Sequence, residues 1–427
     1  MDKSSFLKIK NLLSYIWDWE QSSFYREKYN RFGIDLKKDV NSWESFFKLP
    51  YLIKTEIVNT PPLKRLYIKE EEVICWGITS GTTSAPLMIP MMVWNDPFLD
   101  LLADTLENIK VRKIVVLASL TYINARTTDW VYHPRLGKYP LLMADINNLS
   151  LATQIFKNTS ADGIETTASA LYYFIPFLKE VYDLKKIKYI FLGGEFTSEA
   201  KLSFLKSYFP NAYFDFRFGG MENQVNKGIR CQKISNLPPR FFHPNTSFYL
   251  FEVIDEAGKP MIDGQPGELV LTNKKISGFP LIRYKTGDLV SMTEYSCSCG
   301  MNGLIEIFGR IGYDWMRVGG ITLYVELVDK AINQSIKNFK GDFRIHVFEK
   351  IYNKKLVPQL IIEIIGGNHK ITQAEILAEK IAKNLKIASN KTLKNLIDEQ
   401  LFTPLKVEFA KTGNPKYKNL RMISHLR

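Results

Sequence analysis

Apolar runs of strand length alternate with helix-period segments in the middle of the chain. The strand-like runs are "KIVVLASL" (113–120), "KYIFLGGE" (188–195) and "AYFDFRFGG" (212–220). Segments with helical spacing, "SALYYFIPFLKEVYDL" and "SEAKLSFLKSYF", lie before and after the second run. Strands that alternate with helices form parallel sheets with helices packed on their faces. The sequence therefore predicts an α/β fold with a parallel sheet in this region.

The pattern differs on either side of this region. Residues 1–110 have the spacing of amphipathic helices and loops. After residue 240, longer alternating strands with turn sequences predict an antiparallel β subdomain at 240–308. A short helix, two strands and a further helix then predict a compact α+β tail. We therefore predict a large N-terminal domain of layered α/β sheets with the antiparallel subdomain, residues 1–310, and a small C-terminal α+β domain, residues 311–427.

The composition argues against several classes of protein. No apolar stretch in the 427 residues reaches the length of a membrane span, about 18 residues, so we expect a soluble, cytoplasmic protein. The formal net charge of +13 suits anionic partners such as nucleotides, coenzyme A, acidic proteins or nucleic acid, but a generally lysine-rich proteome is the simpler explanation. The basic residues are scattered and match no nucleic-acid-binding motif, so nucleic acid is not an expected partner.

A polar loop follows the short apolar segment that ends at Ile78. Its sequence, "TSGTTSAP" (79–86), concentrates hydroxyl side chains around one glycine. Backbone N–H groups and hydroxyls in such a loop are suited to bind an anion. The loop is not a P-loop, because the Gly-x-x-x-x-Gly-Lys-Ser/Thr spacing is absent. On local chemistry alone, a phosphate-binding loop and an ordinary Ser/Thr turn are both open.

Three further segments place charged residues where chemistry often occurs. "FRFGGMENQ" places Glu222 just beyond a strand end, and "IRYKTGDLV" places Asp288 in a turn between strands. "KTGNPKYKN" (411–419) places lysines in a loop near the C terminus. Each segment has a structural alternative, namely a solvated glutamate, a turn aspartate or a surface lysine run. Their order and spacing along the chain are more informative than any one of them.

Together these segments resemble the adenylate-forming superfamily of acyl-CoA ligases, and most closely its phenylacetate-CoA ligase branch. The resemblance covers nearly the whole chain, from "FYREKYNRFGI" through "GGEFTSEA", "FPLIRYKTGDLV" and "CSCG" to the C-terminal lysine loop. It implies the use of ATP, Mg²⁺ and coenzyme A. It also implies that the small C-terminal domain is mobile about a hinge near residues 310–314.

The resemblance assigns the nucleotide-binding residues. The hydroxyl-rich loop matches the family's loop for the β- and γ-phosphates of ATP, and Phe218 matches its adenine-packing aromatic residue. Asp288 matches the aspartate that accepts hydrogen bonds from the ribose. The complete set implied for ATP is Thr79, Ser80, Gly81, Thr82, Thr83, Gly194, Glu195, Phe218, Gly219, Tyr284, Asp288 and Arg310.

Two residues are assigned to catalysis by the same resemblance. Lys416 looks like the C-terminal lysine that approaches the substrate carboxylate and the α-phosphate, with Lys411 and Lys418 as rivals. Glu222 matches the glutamate that helps to bind Mg²⁺. Attack of a carboxylate on a phosphate brings two anions together, so the transition state needs such cationic groups. Rotation of the C-terminal domain would then withdraw the lysine and admit the thiol.

The chain departs from the family pattern at several positions. Ser84-Ala85 stands where the family has Gly-Lys, so one phosphate-facing cation is missing, and Met221 stands where Ser or Thr is usual. The hinge segment is one residue longer than usual, which leaves the pivot open among Gly312, Tyr313 and Asp314. These departures bear on the rate and on the half-reaction more than on the fold.

Three of the four cysteines are placed to meet one histidine. Cys297 and Cys299 flank a single residue in "CSCG", and Cys231 precedes His243 by twelve residues. Three thiolates and one imidazole form a closed tetrahedral Zn²⁺ site, which is structural because no coordination position stays open. Three buried thiols and a loop histidine are the alternative. A Cys-x-Cys-Gly also occurs in phenylacetate-CoA ligase relatives, some of which bind structural zinc, whereas Cys75 is expected in the core.

The acyl pocket is the least defined part of the site. The resemblance places it at the segment before the Glu222 motif, at the Gly-Gly-Glu turn and at aromatic helices. The substrate residues implied are Tyr132, Phe174, Gly193 and Phe216. Aromatic residues make up 13% of the chain, which suits an aryl acid, but aromatic residues at helical spacing are more often core. Arg217 is suited to pair with a substrate carboxylate or with Asp215.

We therefore predict an ATP- and Mg²⁺-dependent acid-thiol ligase that forms an acyl-adenylate of an aryl or arylacetic acid and then a thioester with coenzyme A. One alternative is a stand-alone adenylation enzyme that loads an aryl or amino acid onto an acidic carrier protein in secondary metabolism. A second is a degenerate non-catalytic homologue, against which the retention of Glu222, Asp288 and Lys416 argues. A homodimer is a candidate state, and neither nucleic acid nor a membrane is an expected partner.

Overall fold

A computed structural model gives the fold of most of the chain. The described residues are 3–78, 87–92, 97–118, 133–194, 197, 199–220, 222, 224–255, 257–310, 315–319, 321–336, 339, 342–353, 355–365, 374–388, 391–410 and 422–425. Several residues with predicted roles lie outside these ranges.

The helices follow the amphipathic segments of the sequence. In the first helix, Lys3–Asp18, the buried residues Ile9, Leu12, Leu13 and Ile16 have the i, i+3, i+4, i+7 spacing of one helix face. Side-chain caps begin two of the central helices. Asn148 accepts from the N–H of Leu151 before the helix Leu149–Thr159, and Thr167 accepts from the N–H of Ala170 before the helix Ala168–Leu178. The α-helices are α1 (Lys3–Asp18), α2 (Phe24–Asn30), α3 (Trp43–Phe47), α4 (Lys54–Val58), α5 (Pro97–Asn108), α6 (Leu149–Thr159), α7 (Ala168–Leu178), α8 (Glu199–Tyr208), α9 (Val325–Ser335), α10 (Ala374–Asn384) and α11 (Leu393–Asp398).

The strands form one large sheet and several small ones. In chain order they are β1 (Cys75–Ile78), β2 (Met88–Met91), β3 (Ile114–Ala118), β4 (Leu141–Asp145), β5 (Gly163–Thr166), β6 (Tyr189–Leu192), β7 (Tyr213–Phe218), β8 (Gly228–Ile229), β9 (Phe241–Pro244), β10 (Tyr249–Ile254), β11 (Gly267–Asn273), β12 (Tyr284–Ser296), β13 (Asn302–Arg310), β14 (Trp315–Val318), β15 (Ile321–Tyr324), β16 (Asp342–Tyr352), β17 (Lys355–Ile365), β18 (Lys386–Ala388), β19 (Lys391–Thr392), β20 (Lys406–Ala410) and β21 (Met422–Ser424).

The predicted parallel sheet lies in the middle of the chain. Its strands have the order β7-β6-β5-β3-β4 and pair in parallel. All residues of β5 and β6 are buried, as expected for parallel strands covered on both faces. Phe156, Leu171 and Leu205 of the neighbouring helices share one core with Ile164 and Ile190 of these strands. The predicted α/β fold is confirmed.

The antiparallel strands extend this same sheet. Its full order is β10-β11-β12-β13-β9-β8-β7-β6-β5-β3-β4. β8 pairs antiparallel with β7 on one side and with β9 on the other, and β13 joins β9 to β12. The sequence predicts the antiparallel region as a subdomain, and the structure shows that it shares a continuous ladder with the parallel strands.

The N-terminal helices pack on the antiparallel part of the sheet. Leu13, Tyr25 and Tyr67 share a core with Phe279 and Tyr284. A buried ion pair supports this packing, because Arg283 donates to Glu252 Oε2 (2.8 Å) and also to the carbonyl of Leu49 (2.7 Å). The helices are therefore joined to the sheet by apolar packing and by one buried guanidinium.

The C-terminal part has a sheet and a core of its own. Four strands have the order β20-β17-β16-β21, and the core includes Val318, Ile332, Ile362, Ile381 and Met422. Tyr173 Oη of α7 donates to the carbonyl of Gly319 (2.9 Å), which connects this part to the central helices. The domain boundary at residue 310 and the hinge stay predictions.

The structure contains several strands that the sequence does not predict. Residues 1–110 contain the antiparallel hairpin of β1 and β2, where only helices and loops are predicted. β4 and β5 in the parallel sheet, and β20 and β21 at the edges of the C-terminal sheet, are also unpredicted. In the described ranges, no helix has the length and apolar character needed to cross a membrane.

Candidate functional site

Two glycine-containing turns meet at the carboxyl ends of neighbouring parallel strands. Gly193 and Gly194 follow β6, and Gly219 follows β7, which pairs with β6. Gly194 has a φ of +79°, a conformation that glycine adopts without steric cost. Ligands of open α/β sheets bind at the carboxyl ends of the strands. The fold therefore places Gly194 and Gly219, which are predicted for the nucleotide, and Gly193, which is predicted for the acyl substrate, at the edge of the sheet where a ligand is expected.

Phe218 and Asp288 are brought together by a lysine that the sequence interpretation does not include. Lys227, next to the short strand β8, donates from its ammonium to Asp288 Oδ2. The same Nζ lies 4.2 Å from the centre of the Phe218 ring, a cation–π distance. Lys227 and Asp288 are both buried. The adenine and ribose residues implied by the resemblance thus share one cationic neighbour.

The strand register brings the other predicted ribose residue close by. Arg310 ends β13 directly opposite Asp288 on β12, so their backbones are neighbours. Asp288 lies within β12 and not in the predicted turn between strands: Gly287 has a φ of +73°, and Thr286 Oγ1 accepts from the N–H of Asp288 (3.1 Å) inside the strand. Tyr284, four residues earlier, is buried in the core beneath the N-terminal helices. Its predicted contact with the nucleotide stays a prediction.

Glu222 and its surroundings are buried at the end of β7. Gln224 has a φ of +60° and donates from Nε2 to the carbonyl of Phe279 (3.3 Å). Its Oε1 has no hydrogen-bond partner among the described residues, and neither has the buried hydroxyl of Thr197 after the Gly-Gly turn. Buried polar atoms are nearly always paired, and both residues adjoin positions outside the described ranges.

The four predicted zinc ligands converge on one point. His243 Nε2 lies 3.4 Å from Cys231 Sγ and 3.7 Å from Cys299 Sγ, and the Sγ atoms of Cys231 and Cys297 are 3.7 Å apart. All four ligand atoms lie within 4.8 Å of one another. Ligand atoms of a tetrahedral site with Zn–S of about 2.3 Å are about 3.5–3.8 Å apart. The donor set and its spacing fit a closed zinc site.

The surroundings of His243 support the same interpretation. Its Nδ1 lies 3.0 Å from the carbonyl oxygen of Gly303, which leaves Nε2 directed toward the three sulfurs. Burial lowers the pKa of His243, which favours the neutral imidazole that binds metals. Arg230 donates to the carbonyls of Ile234 (2.7 Å) and Leu237 (2.7 Å) and closes the loop after Cys231. The cluster is thus held by the fold around it.

The aromatic residues assigned to the acyl pocket are buried. Phe174 has no exposed surface and packs 5.8 Å from Phe156 in the helical layer, and Phe216 belongs to the same core. Asp215 accepts from Tyr189 Oη (2.7 Å), and the guanidinium of Arg217 lies 4.9 Å from the centre of the Phe191 ring. The described contacts of Phe174 are those of a core residue, and its role in the pocket stays a prediction.

Several predicted residues lie outside the described ranges. They are Thr79, Ser80, Gly81, Thr82, Thr83, Ser84, Ala85, Tyr132, Glu195, Met221, Gly312, Tyr313, Asp314, Lys411, Lys416 and Lys418. The base of the predicted phosphate loop is nevertheless described, because Ile78 pairs with Met88 at the mouth of the hairpin of β1 and β2.

Two curated relatives resemble the chain over most of its length. No family model matches it. A phenylacetate-coenzyme A ligase of Thermus thermophilus is 23% identical over 421 residues, covering 91% of this chain and 90% of the relative. A second, from Pseudomonas putida, is 22% identical over 356 residues, covering 77% and 75%.

Solved structures of an acyl-CoA ligase share the fold. A 2-hydroxyisobutyryl-CoA ligase in complex with 2-HIB-AMP and CoA, in its thioesterification state, has a TM-score of 0.62 at 18% identity and covers 100% of this chain and 90% of that chain. The same ligase in its postadenylation state has a TM-score of 0.61 at 18% identity, with 99% and 89% covered. The chain therefore has the fold of the adenylate-forming acyl-CoA ligases and is a homologue of the phenylacetate-CoA ligases.

Proposed function

We propose that the chain is an ATP-dependent acid-thiol ligase that converts a carboxylic acid first to its acyl-adenylate and then to a coenzyme A thioester. The observation that carries the proposal is the convergence of Phe218, Lys227 and Asp288 beside the carboxyl end of β7. Similarity to phenylacetate-coenzyme A ligases over 91% of the chain supports it.

The adenylation step needs the substrate and ATP to be held in line. Phe218 would pack on the adenine, Asp288 would accept hydrogen bonds from the ribose, and the hydroxyl-rich loop 79–83 would hold the β- and γ-phosphates. A carboxylate oxygen of the acid then bonds to the α-phosphorus, and pyrophosphate leaves with the electron pair of the broken P–O bond. Mg²⁺, when bound, supplies positive charge to the phosphate oxygens. Glu222, buried at the end of β7, is the residue we assign to hold it.

The second step forms the thioester. The thiol of coenzyme A gives its proton to solvent and its sulfur bonds to the acyl carbon. The bond between the acyl carbon and the AMP oxygen breaks, and AMP leaves with that electron pair. We propose that the C-terminal domain, residues 311–427, presents Lys416 for the first step and rotates about residues 310–314 for the second. Tyr173 and Gly319, which are hydrogen-bonded at 2.9 Å, would have to separate or move together during that rotation.

Zinc at Cys231, His243, Cys297 and Cys299 is proposed as a structural ion. All four ligand atoms point to one centre, so the site offers no position for substrate. It would tie the segment after β12 to β9, which contains His243, and to the segment that follows β8.

The acid is proposed to be aryl or arylacetic, because the relatives are named for phenylacetate. The thiol is proposed to be coenzyme A for the same reason. The cytoplasmic location and the homodimer stay predictions from the sequence.

Pyrophosphate release with a panel of carboxylic acids tests the proposal. Release with phenylacetate or a related aryl acid, followed by thioester formation with coenzyme A, is the expected result. No release with any acid, despite intact ATP binding, would contradict the ligase activity. Release that stops at the adenylate with coenzyme A but proceeds with a carrier protein would assign the thiol to the carrier instead.

Lysine substitutions test the assignment of the catalytic lysine. In a Lys416→Ala variant we expect adenylation to fall at least about a hundredfold, because a cation that stabilises transition-state charge is removed. Lys411→Ala and Lys418→Ala are the matched controls and are expected to keep adenylation within about threefold. Full adenylation by Lys416→Ala would move the role to one of its two neighbours.

A further inference from the structure

Lys227 is a buried lysine beside two side chains with proposed nucleotide roles. It is 1% exposed, and Asp288 is 4% exposed. The ammonium contacts the Asp288 carboxylate and lies over the Phe218 ring. A lysine is almost never fully buried unless its charge is paired, so the burial of Lys227 indicates a specific role for its ammonium group.

The backbone holds Lys227 firmly at this position. The N–H of Asn245 donates to the Lys227 carbonyl (2.8 Å), and Asn245 Nδ2 donates to the carbonyl of Asn226 (3.1 Å). The next residue, Gly228, pairs with Phe218 on β7 and with Pro244 on β9. The side chain of Lys227 therefore starts from a fixed point between two strands.

A second buried ion pair shows what a purely structural pair looks like in this chain. The guanidinium of Arg283 binds Glu252, and its other N–H groups donate to the Leu49 carbonyl (2.7 Å) and Tyr51 Oη (2.9 Å). Those partners join the N-terminal segment to the sheet. The contacts of Lys227 are instead with the two side chains assigned to adenine and ribose.

We propose that Lys227 is a positioning residue for the nucleotide. Its ammonium holds the Asp288 carboxylate in the orientation that accepts the ribose hydroxyls, and it fixes the Phe218 ring against which the adenine packs. This inference rests on the proposed function, because it assumes that an adenosine nucleotide binds here. It adds a cation to the adenosine end of the site, whereas the predicted phosphate loop lacks its usual lysine.

Calorimetric binding of AMP and of 2′,3′-dideoxy-AMP tests the proposal without requiring turnover. The wild-type chain is expected to bind AMP at least about tenfold more tightly than the dideoxy analogue. The analogue lacks the ribose hydroxyls and therefore cannot donate a hydrogen bond to the charged Asp288 carboxylate. In Lys227→Met, which keeps the length of the side chain but not its charge, we expect AMP binding to weaken about tenfold. The preference for AMP over the dideoxy analogue should fall to about threefold or less.

Lys28→Met is the matched control. Lys28 is also buried and pairs with Glu56 at 2.6 Å, but in the N-terminal helices. This variant is expected to keep the wild-type affinity for AMP and the wild-type preference. A general loss of stability would weaken AMP binding by both variants alike. A loss of affinity and preference that is confined to Lys227→Met therefore supports a positioning role.

The outcomes separate this inference from the proposed function. If the wild-type chain binds neither nucleotide, both proposals fail. If it binds AMP with its expected preference and folded Lys227→Met keeps that preference, only the role of Lys227 is overturned. If Lys227→Met does not fold, a crystal structure of the wild-type chain with AMP decides. Contact of Asp288 with both Lys227 and the ribose supports the proposal, and absence of either contact overturns it.

Discussion

The two ends of the short strand β8 have different chemistry. Lys227 precedes the strand and faces the residues assigned to the nucleotide, whereas Cys231 follows it and belongs to the Cys/His cluster. Strand β12, which belongs to the same sheet but does not pair with β8, repeats the arrangement, with Asp288 in its first half and Cys297 just beyond its end. One block of strands thus carries an ion pair at one end and a metal-type donor set at the other.

The two ends of β8 differ in whether their side chains lie beside a proposed ligand-binding site. At the cluster end, four donor atoms point at one another and His243 is held from behind by Gly303. At the other end, the charged groups are buried but lie against the side chains that a nucleotide would touch. A closed donor set stabilises a fold, whereas a buried charge beside a ligand-binding turn orients a functional group. Substitutions at the cluster end should therefore reduce the stability of the fold, whereas substitutions at the Lys227 end should reduce nucleotide binding.

The largest effect is expected at the cluster. Cys231→Ser should lower the free energy of unfolding by about 4 kcal/mol or more, because loss of a structural metal is among the most destabilising single changes. Zinc content measured on purified protein should fall from about one equivalent to a small fraction of that. Urea unfolding and metal analysis measure the two quantities.

Cys75→Ser provides the control for this change. Cys75 lies on β1, outside the cluster, so its substitution should leave the zinc content unchanged. Wild-type protein with far less than one equivalent of zinc, purified without chelator, would contradict the metal site. The cluster end of β8 would then be a polar cluster without a metal ion, as the Lys227 end is.

An intermediate effect is expected at the structural ion pair. Arg283→Met leaves the buried Glu252 carboxylate without its partner, which should lower the free energy of unfolding by about 3 kcal/mol. We expect AMP binding by the folded variant to stay within about twofold of wild type. A tenfold loss of AMP affinity would remove the distinction between this pair and the Lys227 pair.

The smallest effect is expected at Asp215 and depends on pH. Burial raises the pKa of the Asp215 carboxyl above its ordinary value of 3.8, which means that the folded chain binds this proton more tightly than the unfolded chain. The stabilising contribution is complete below pH 3.8 and is lost as the pH rises through the folded-state value. Asn does not titrate, so the stability of wild type relative to Asp215→Asn should decrease between pH 4 and pH 7. Urea unfolding at both pH values checks this, and a difference that increases with pH would contradict it.

Donor chemistry allowed the Cys/His cluster to be predicted, and the hydrophobic pattern allowed much of the fold. β6 and β7 lie within the predicted runs, and the four residues of the Cys/His cluster meet as expected from their donor chemistry. These features depend on local periodicity and on residue types with strong preferences. The assigned roles of Glu222 and Asp288 stay predictions.

The missed features depend on long-range pairing. Lys227 has no motif of its own and gains its meaning from Asp288, which is 61 residues away in sequence. β8 has two residues and β21 has three, so neither has a readable period. β20, in contrast, alternates polar and apolar residues in "KVEFA", a strand signal that the sequence interpretation does not include. The continuity of the large sheet depends on β13 pairing with β9, which no local pattern specifies.

The position of β13 has a consequence for synthesis of the chain on the ribosome. In the described part of the structure, β13 is the strand that connects β12 to β9, yet it is made after both of them. Until residues 302–310 emerge, the two halves of the sheet each have an edge with unpaired backbone groups at the place where they will join. Such edges are prone to pair with other chains. Nascent or truncated chains that end before Asn302 should therefore depend most on chaperones.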